Sequence, residues 1–255
     1  MRAWPVFKKE LRLYFTSPVA YGVFTVFLLI SGYFFASIFA FFNLMSMQSA
    51  MNPALARDLN VTEGIMRPLF SNISVITLFL MPILTMRLFA EEKKTGTMEL
   101  LLTYPVRDGE VLLGKYAAAM TLYLTLLLVT ALYAAIVTYF ARVEWGPLLT
   151  GYLGLTLMGG AFLAVGVLAS SLTENQIVAA IATFGALLLL WVIGWSADFA
   201  GPVWGKVLSH LSILEHFDSF AKGVIDTKDV IYYLNFMILA LFLALRSLES
   251  KRWRG

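Results

Sequence analysis

Six stretches of the chain carry no charged residue, at about 19–42, 69–86, 116–140, 147–171, 177–197 and 230–245. Each approaches the roughly 20 residues that a helix rising 1.5 Å per residue needs to cross about 30 Å of hydrocarbon. The second extends to about 69–90 if Arg87 snorkels toward the headgroups. The pattern predicts an all-α polytopic membrane protein with six transmembrane helices, formed by residues 1–255 as one transmembrane domain. Residues 1–17 read differently. Trp4, Phe7, Leu11, Tyr14 and Phe15 recur at helical spacing beside Lys8, Lys9 and Arg12, as in a helix that lies on a membrane. Ser17-Pro18 ends it.

The segments between the spans differ in kind. Residues 43–68 read as a polar loop opened by Asn52-Pro53. Residues 170–176 make a very short turn. From 198 to 229, Gly201-Pro202 breaks the fifth helix, and Ser212-Ile213-Leu214-Glu215 reads as a capping box. Gly223 stands where a helix starting at Ile213 should stop. Short surface or re-entrant helices are therefore expected before the last span. His210, Glu215 and His216 lie close in sequence, but too few further ligands accompany them for a metal site, and a wet headgroup-level surface is the expectation. In the fourth span Gly151, Gly154, Gly159, Gly160, Ala164, Gly166 and Ser170 would let helices approach closely, chiefly within one subunit. Pro82 removes one backbone hydrogen bond inside the second span and permits a kink.

Composition agrees with the pattern and narrows it. The 255 residues are 60% hydrophobic and 14% charged, with a mean hydropathy of +0.79, a balance outside that of water-soluble domains. A net charge of +3 points to basic loops rather than to nucleic acid. With 91–115 placed inside the cell, thirteen of the nineteen Lys and Arg lie on inner segments and six on outer ones. Both termini are then cytoplasmic. Cysteine is absent, which excludes disulfides and thiol chemistry. The first apolar run is too long for a cleavable signal and is expected to remain as a span.

Residues 86–115 are the most charged part. Arg87 to Lys94 continue the second span, and Gly96 breaks it. Thr95 or Gly96 can cap a short helix with Glu99 in its first turn, and Pro105 stops it. Asp108 is placed to cap the helix that returns through Lys115. Glu91-Glu92-Lys93, Gly96-Thr97-x-Glu99-Leu100-Leu101-Leu102, Pro105-Val106 and Gly114-Lys115 resemble the loop between the second and third spans of ABC-2 type permeases, the membrane subunits of one class of ABC exporter. Thr85 to Glu92 and His216-Phe217-x-Ser219-Phe220-x-x-Gly223-Val224-Ile225-Asp226 are most similar to the gliding-motility-associated members.

The resemblance implies a function. The 91–105 segment would be a coupling helix, with Glu91, Glu92, Gly96, Thr97, Glu99, Leu100, Leu101 and Pro105 meeting an ATP-binding subunit. Phe7, Lys8, Lys9, Leu11 and Arg12 would form a connecting helix against the same partner. Two ATP-binding subunits, each bringing ATP and Mg, would serve two permease copies (identical or homologous) in a bacterial inner membrane. An envelope partner is compatible with the gliding-type likeness. Ser74, Thr77, Pro82 and Thr183 are candidates for a translocation path.

No cofactor is expected on this chain, because no phosphate-binding Gly-x-x-x-x-Gly-Lys-[Ser/Thr] loop occurs. Every Asp, Glu, Lys and Arg is expected in a terminus, a loop or near a helix end, which leaves no ion relay at depth. Energy must then come from a partner. The alternative is a membrane anchor that transports nothing and transmits force from its ATPase.

Overall fold

A computed structural model describes residues 3–51, 60–97, 107–141 and 143–252, and all regular elements among them are helical. In chain order these are α1 (Ala3–Thr16), α2 (Pro18–Met51), a π-helical turn (Thr62–Met66), α3 (Arg67–Thr85), α4 (Ala90–Lys94), α5 (Asp108–Phe140), α6 (Trp145–Leu172), α7 (Gln176–Val192), a 3-10 segment (Ile193–Phe199), α8 (Gly201–Leu211), α9 (Ile213–Ala221) and α10 (Thr227–Arg252). Six helices among the described residues are long and apolar enough to cross a membrane. The protein is a multi-pass membrane protein.

The glycine-rich helix α6 is the axis of the bundle, packed against α3, α5, α7, α9 and α10. The reason is steric. A Cβ placed on Gly151 would overlap the Phe70 ring, on Gly159 the Tyr123 ring, on Gly166 the Thr85 side chain, and on Gly154 the Phe220 side chain. Each glycine is a socket for a large or branched side chain of a neighbouring helix. These four glycines are used inside this chain. The opposite faces stay apolar and exposed, as Leu29 and Tyr33 on α2, Leu128 and Leu132 on α5, and Ile177 and Ile181 on α7 illustrate. Lipid is the solvent that such a surface needs.

Several sequence expectations shift. Helix α2 runs on to Met51 through Phe41, Leu44, Met45 and Met47, where a polar loop was expected from residue 43; the apolar residues continue the helix past the charge-free run. Residues 52–59 lie outside the described part. Helix α5 starts at Asp108, two turns before its charge-free run. Arg107, not Asp108, holds the cap position, and its backbone N–H donates to the Glu110 carboxylate at 3.3 Å. Pro82 stays buried inside an unbroken α3.

Helix α7 ends at Val192, and the chain descends through the 3-10 segment before Gly201 turns it at φ +75°. Helix α9 begins at Ile213 as the capping pattern predicts, but the Ser212 side chain makes no capping bond. Its hydroxyl is buried, and a Cβ on Gly194 would overlap it. Gly223 ends α9 at φ +90°, with the Val224 N–H donating back to Ser219 O at 3.0 Å and the Gly223 N–H to Phe220 O. That pair is the Schellman arrangement which satisfies the last carbonyls of a helix.

Candidate functional site at the α1 end of the bundle

Helix α1 has two faces. Ala3, Val6, Glu10 and Tyr14 recur at helical spacing and face the protein. The Ala3 carbonyl and Val6 press on Gly114 of α5, and the Tyr14 hydroxyl donates to Leu84 O at 2.8 Å. Burial pushes the Tyr14 phenol well above its ordinary value, with the Glu10 charge adding to the effect, so it remains a donor. Trp4, Leu13 and Phe15 are exposed on the other side. Trp4 and Phe7 stack at 5.2 Å. The apolar stripe read from the sequence therefore divides: Trp4 and Phe15 face outward, Phe7 and Leu11 are half-buried, and Tyr14 faces the protein. The protein-facing side includes a glutamate.

That glutamate is one corner of a buried ionic cluster. Lys115 Nζ lies 2.8 Å from Glu10 Oε1 and 3.0 Å from Glu92 Oε1, and the lysine side chain is only 1% exposed. Lys9 Nζ reaches the same Glu92 oxygen at 3.1 Å. The Phe89 ring sits 5.3 Å from the lysine nitrogen. Three elements distant in sequence (α1, α4 and α5) are thereby joined at one point. Removing one member of such a cluster strands the remaining buried charge, at a cost of about 3–5 kcal/mol.

The turn from α3 to α4 is fixed separately by Ser170 of α6. Its hydroxyl donates to Met86 O and accepts from the Phe89 and Ala90 backbone N–H groups, each at 3.1 Å. A helix end leaves such groups without partners inside the helix, and here one hydroxyl serves both the end of α3 and the start of α4. Arg87 grips Glu91 with two nitrogens, Nε at 2.7 Å and Nη2 at 3.2 Å. Lys93 donates to Ser171 O, and Ser247 of α10 donates to the same carbonyl at 3.1 Å. Gly96 then turns the chain at φ +70°, where any other residue would be strained. The result is a stiff corner tied to α1, α5, α6 and α10.

The expected docking residues divide. Glu91 is held by Arg87, and Glu92 is largely turned inward onto Lys115 instead of outward toward a partner. Lys8, Arg12, Gly96 and Thr97 are exposed, and Phe7 and Leu11 are half-buried. Glu99, Leu100, Leu101 and Pro105 lie outside the described residues. Ser74, Thr77, Pro82 and Thr183 are buried in the chain's own interior. Their hydroxyls bond carbonyls of their own helices, Ser74 to Ser71 O, Thr77 to Ile73 O and Thr183 to Ala179 O. Lys115 corrects the expectation that every charge lies near a helix end: it is two turns inside α5. Sequence reading missed Glu10 and the partnership of Lys115. A signal was present, since Lys115 is flanked by Val111, Leu112, Gly114 and Tyr116.

A second buried polar contact lies at the far end of the bundle. His216 Nδ1 is 2.6 Å from Asp229 Oδ1, and Nε2 is 3.0 Å from His210 O. The carbonyl can only accept, so Nε2 carries a hydrogen. Tyr232 stacks on the imidazole at 3.9 Å and donates to Leu211 O, and Tyr233 donates to Ile213 O at 2.8 Å. His216 is thus a buried clamp between α9 and α10, where a wet surface was expected. No group of three or more metal-ligating side chains occurs among the described residues.

A bundle of six apolar helices, with its charges gathered into ties at the two ends, has the build of a membrane transport subunit. The chain belongs to the family described as ABC-2 family transporter protein, which it matches over residues 4–247. It is accordingly a permease subunit of an ABC transporter, a class that works with ATP-binding partners. No curated protein matches the chain.

Proposed function

We propose that this chain is the force-receiving permease of an ATP-driven exporter. The observation that carries the reading is the Glu10–Lys115–Glu92 cluster, which makes α1, α4 and α5 one block. An ATP-binding subunit on the cytoplasmic side would press on the 91–105 segment and on the exposed side chains of α1, Lys8 and Arg12 among them. A push at either place moves the same block. The displacement then passes along α3 and α5 into the bundle. Helices α3 and α7 meet through Phe79 and Phe184, whose rings lie 5.2 Å apart. Separation of these helices would bring Ser74, Thr77 and Thr183 to a path between two permease copies.

The test is co-purification with an ATP-binding subunit, followed by ATP hydrolysis and cargo release in the Glu99→Arg variant. Hydrolysis that continues while release falls supports the reading. Full coupling in that variant, or a permease that binds no ATP-hydrolysing protein, contradicts it. A second reading has one observation in its favour. The hydroxyls expected to line a path are sealed in the interior, as in an anchor that passes force to an envelope partner without moving cargo. ATP-dependent uptake of no solute or lipid by inverted vesicles holding the complete complex would favour that anchor.

A further inference from the structure

Between α1 and the ends of α2 and α3 lies a cavity of about 420 Å³, within the roughly 300–1,000 Å³ typical of small-molecule sites. Its lining has two parts of different character. One part is apolar, with Val19, Ala20, Val23 and Ile83; the other is charged, with Lys9, Arg87, Glu91 and Glu92. Val19 and Ile83 are also exposed on the outer surface of α2 and α3, so the apolar part is continuous with the lipid-facing wall. The exposed Trp4, Leu13 and Phe15 set α1 at the level where headgroups lie.

We infer that this cavity binds one phospholipid with a primary-amine zwitterionic headgroup, of the phosphatidylethanolamine type. An apolar part that opens on the lipid-facing wall, joined to a charged part, suits a molecule that is both chain and headgroup. The charged part offers both signs. Arg87 spends Nε and Nη2 on Glu91, and its Nη1 makes only a 3.4 Å contact to Ser17, which leaves N–H donors for a phosphate. Lys9 Nζ, half-exposed, adds a second cation. Beside Lys9, whose nitrogen lies 3.1 Å from Glu92 Oε1, the second carboxylate oxygen Oε2 is buried without a hydrogen-bond partner. An ammonium can donate to that oxygen, whereas a choline headgroup carries no N–H to give. The volume accommodates the headgroup and the beginning of an acyl chain, with the remainder lying along Val19 and Ile83. The inference rests on the cavity alone and stands whichever face of the membrane α1 occupies.

The test uses the full-length protein in detergent, titrated with dioctanoyl phosphatidylethanolamine, phosphatidylcholine or phosphatidylglycerol and read by native mass spectrometry. The ethanolamine lipid should bind about tenfold more tightly than the choline lipid, the scale of one charge-assisted hydrogen bond. Glu92→Gln should bring that ratio close to one, and Val19→Trp, which fills the apolar part from an exposed position, should weaken all three lipids. Soluble phosphoethanolamine should compete weakly, because it lacks the chain. Equal binding of ethanolamine and choline lipids overturns the inference. So does a ratio unchanged in Glu92→Gln, a Val19→Trp variant that binds as the parent does, or competition by phosphoethanolamine as strong as by the lipid. A bound ATP-binding subunit that empties the cavity of all lipid would assign it to that partner instead.

Discussion

The two ends of the bundle solve the same mechanical problem with different chemistry. At the α1 end, charges on α1, α4 and α5 converge in a water-poor pocket, and a single serine satisfies three backbone groups. At the α9 end, an imidazole bridges Asp229 and a carbonyl, while Arg67, Asp218 and Lys222 form a half-exposed ionic chain that ties α3 to α9. The first arrangement joins elements about a hundred residues apart and leaves no member free to move alone. The second fastens two short helices to the start of the last span. Rigidity at the α1 end suits a part that receives force. A local clamp at the other end suits a part that keeps short helices in place.

The largest expected effect comes from breaking the first arrangement. Lys115→Met leaves the buried Glu10 and Glu92 with only the half-exposed Lys9 beside them and should cost about 3–5 kcal/mol in detergent unfolding experiments. Combining it with Glu10→Gln and Glu92→Gln should restore much of that loss, since no unpaired charge then remains buried. A loss below 1 kcal/mol for Lys115→Met would mean that the cluster is hydrated. Ser170→Ala comes next: it deprives two backbone N–H groups and one carbonyl of the hydroxyl that serves them, and should cost about 1–3 kcal/mol. Hydrogen exchange should rise at Phe89 and Ala90 while the α9 end stays protected.

His216→Asn, which keeps a donor for the buried Asp229 carboxylate, should cost less, about 1.5–3 kcal/mol for the weakened charge-assisted bond. Proteolysis within 209–226 should quicken in that variant, with no change in exchange at Ala90. If His216→Asn loosened the α1 end as well, the two ends would not be independent. The smallest effect belongs to Asp218. Burial pushes its carboxyl up, but hydrogen bonds from Lys222 and Arg67 outweigh that and hold it below the ordinary carboxylate value. A depressed folded-state value contributes stability above the unfolded pKa of about 4, and that stability is lost as pH falls through the folded value. Asp218→Asn should therefore flatten the acid limb of the stability curve below about pH 4 and leave neutral pH nearly unchanged, because the pair is half-exposed.

Much of the fold is legible because the bilayer enforces it. A charge-free run of about 20 residues has few alternatives to a spanning helix. Gly223 and Ser212 mark the ends of α9 because turn chemistry is local. The glycines of α6 announce close packing, though not which rings fill them; Tyr123 and Phe70 come from other helices. The ionic ties were not legible for the same reason. Glu10 and Lys115 meet only after α1 folds back over α5, and no local rule pairs residues at that separation. Asp229 and His216 sit on different helices joined by a turn. Charge alone placed both His216 and Lys115 near water, whereas packing buries them beside partners.

In the proposed mechanism α1 and α4 move as one body when nucleotide binds. The chain contains no cysteine, so spin labels can be placed at Lys8→Cys and Lys94→Cys, exposed sites on the two helices, in the complete complex with its ATP-binding subunits. Electron–electron distance measurements with and without ATP should give one unchanged distance within a protomer, while the distance between the two Lys94→Cys labels of the proposed permease pair shifts. A distance between positions 8 and 94 that changes with ATP would contradict the account.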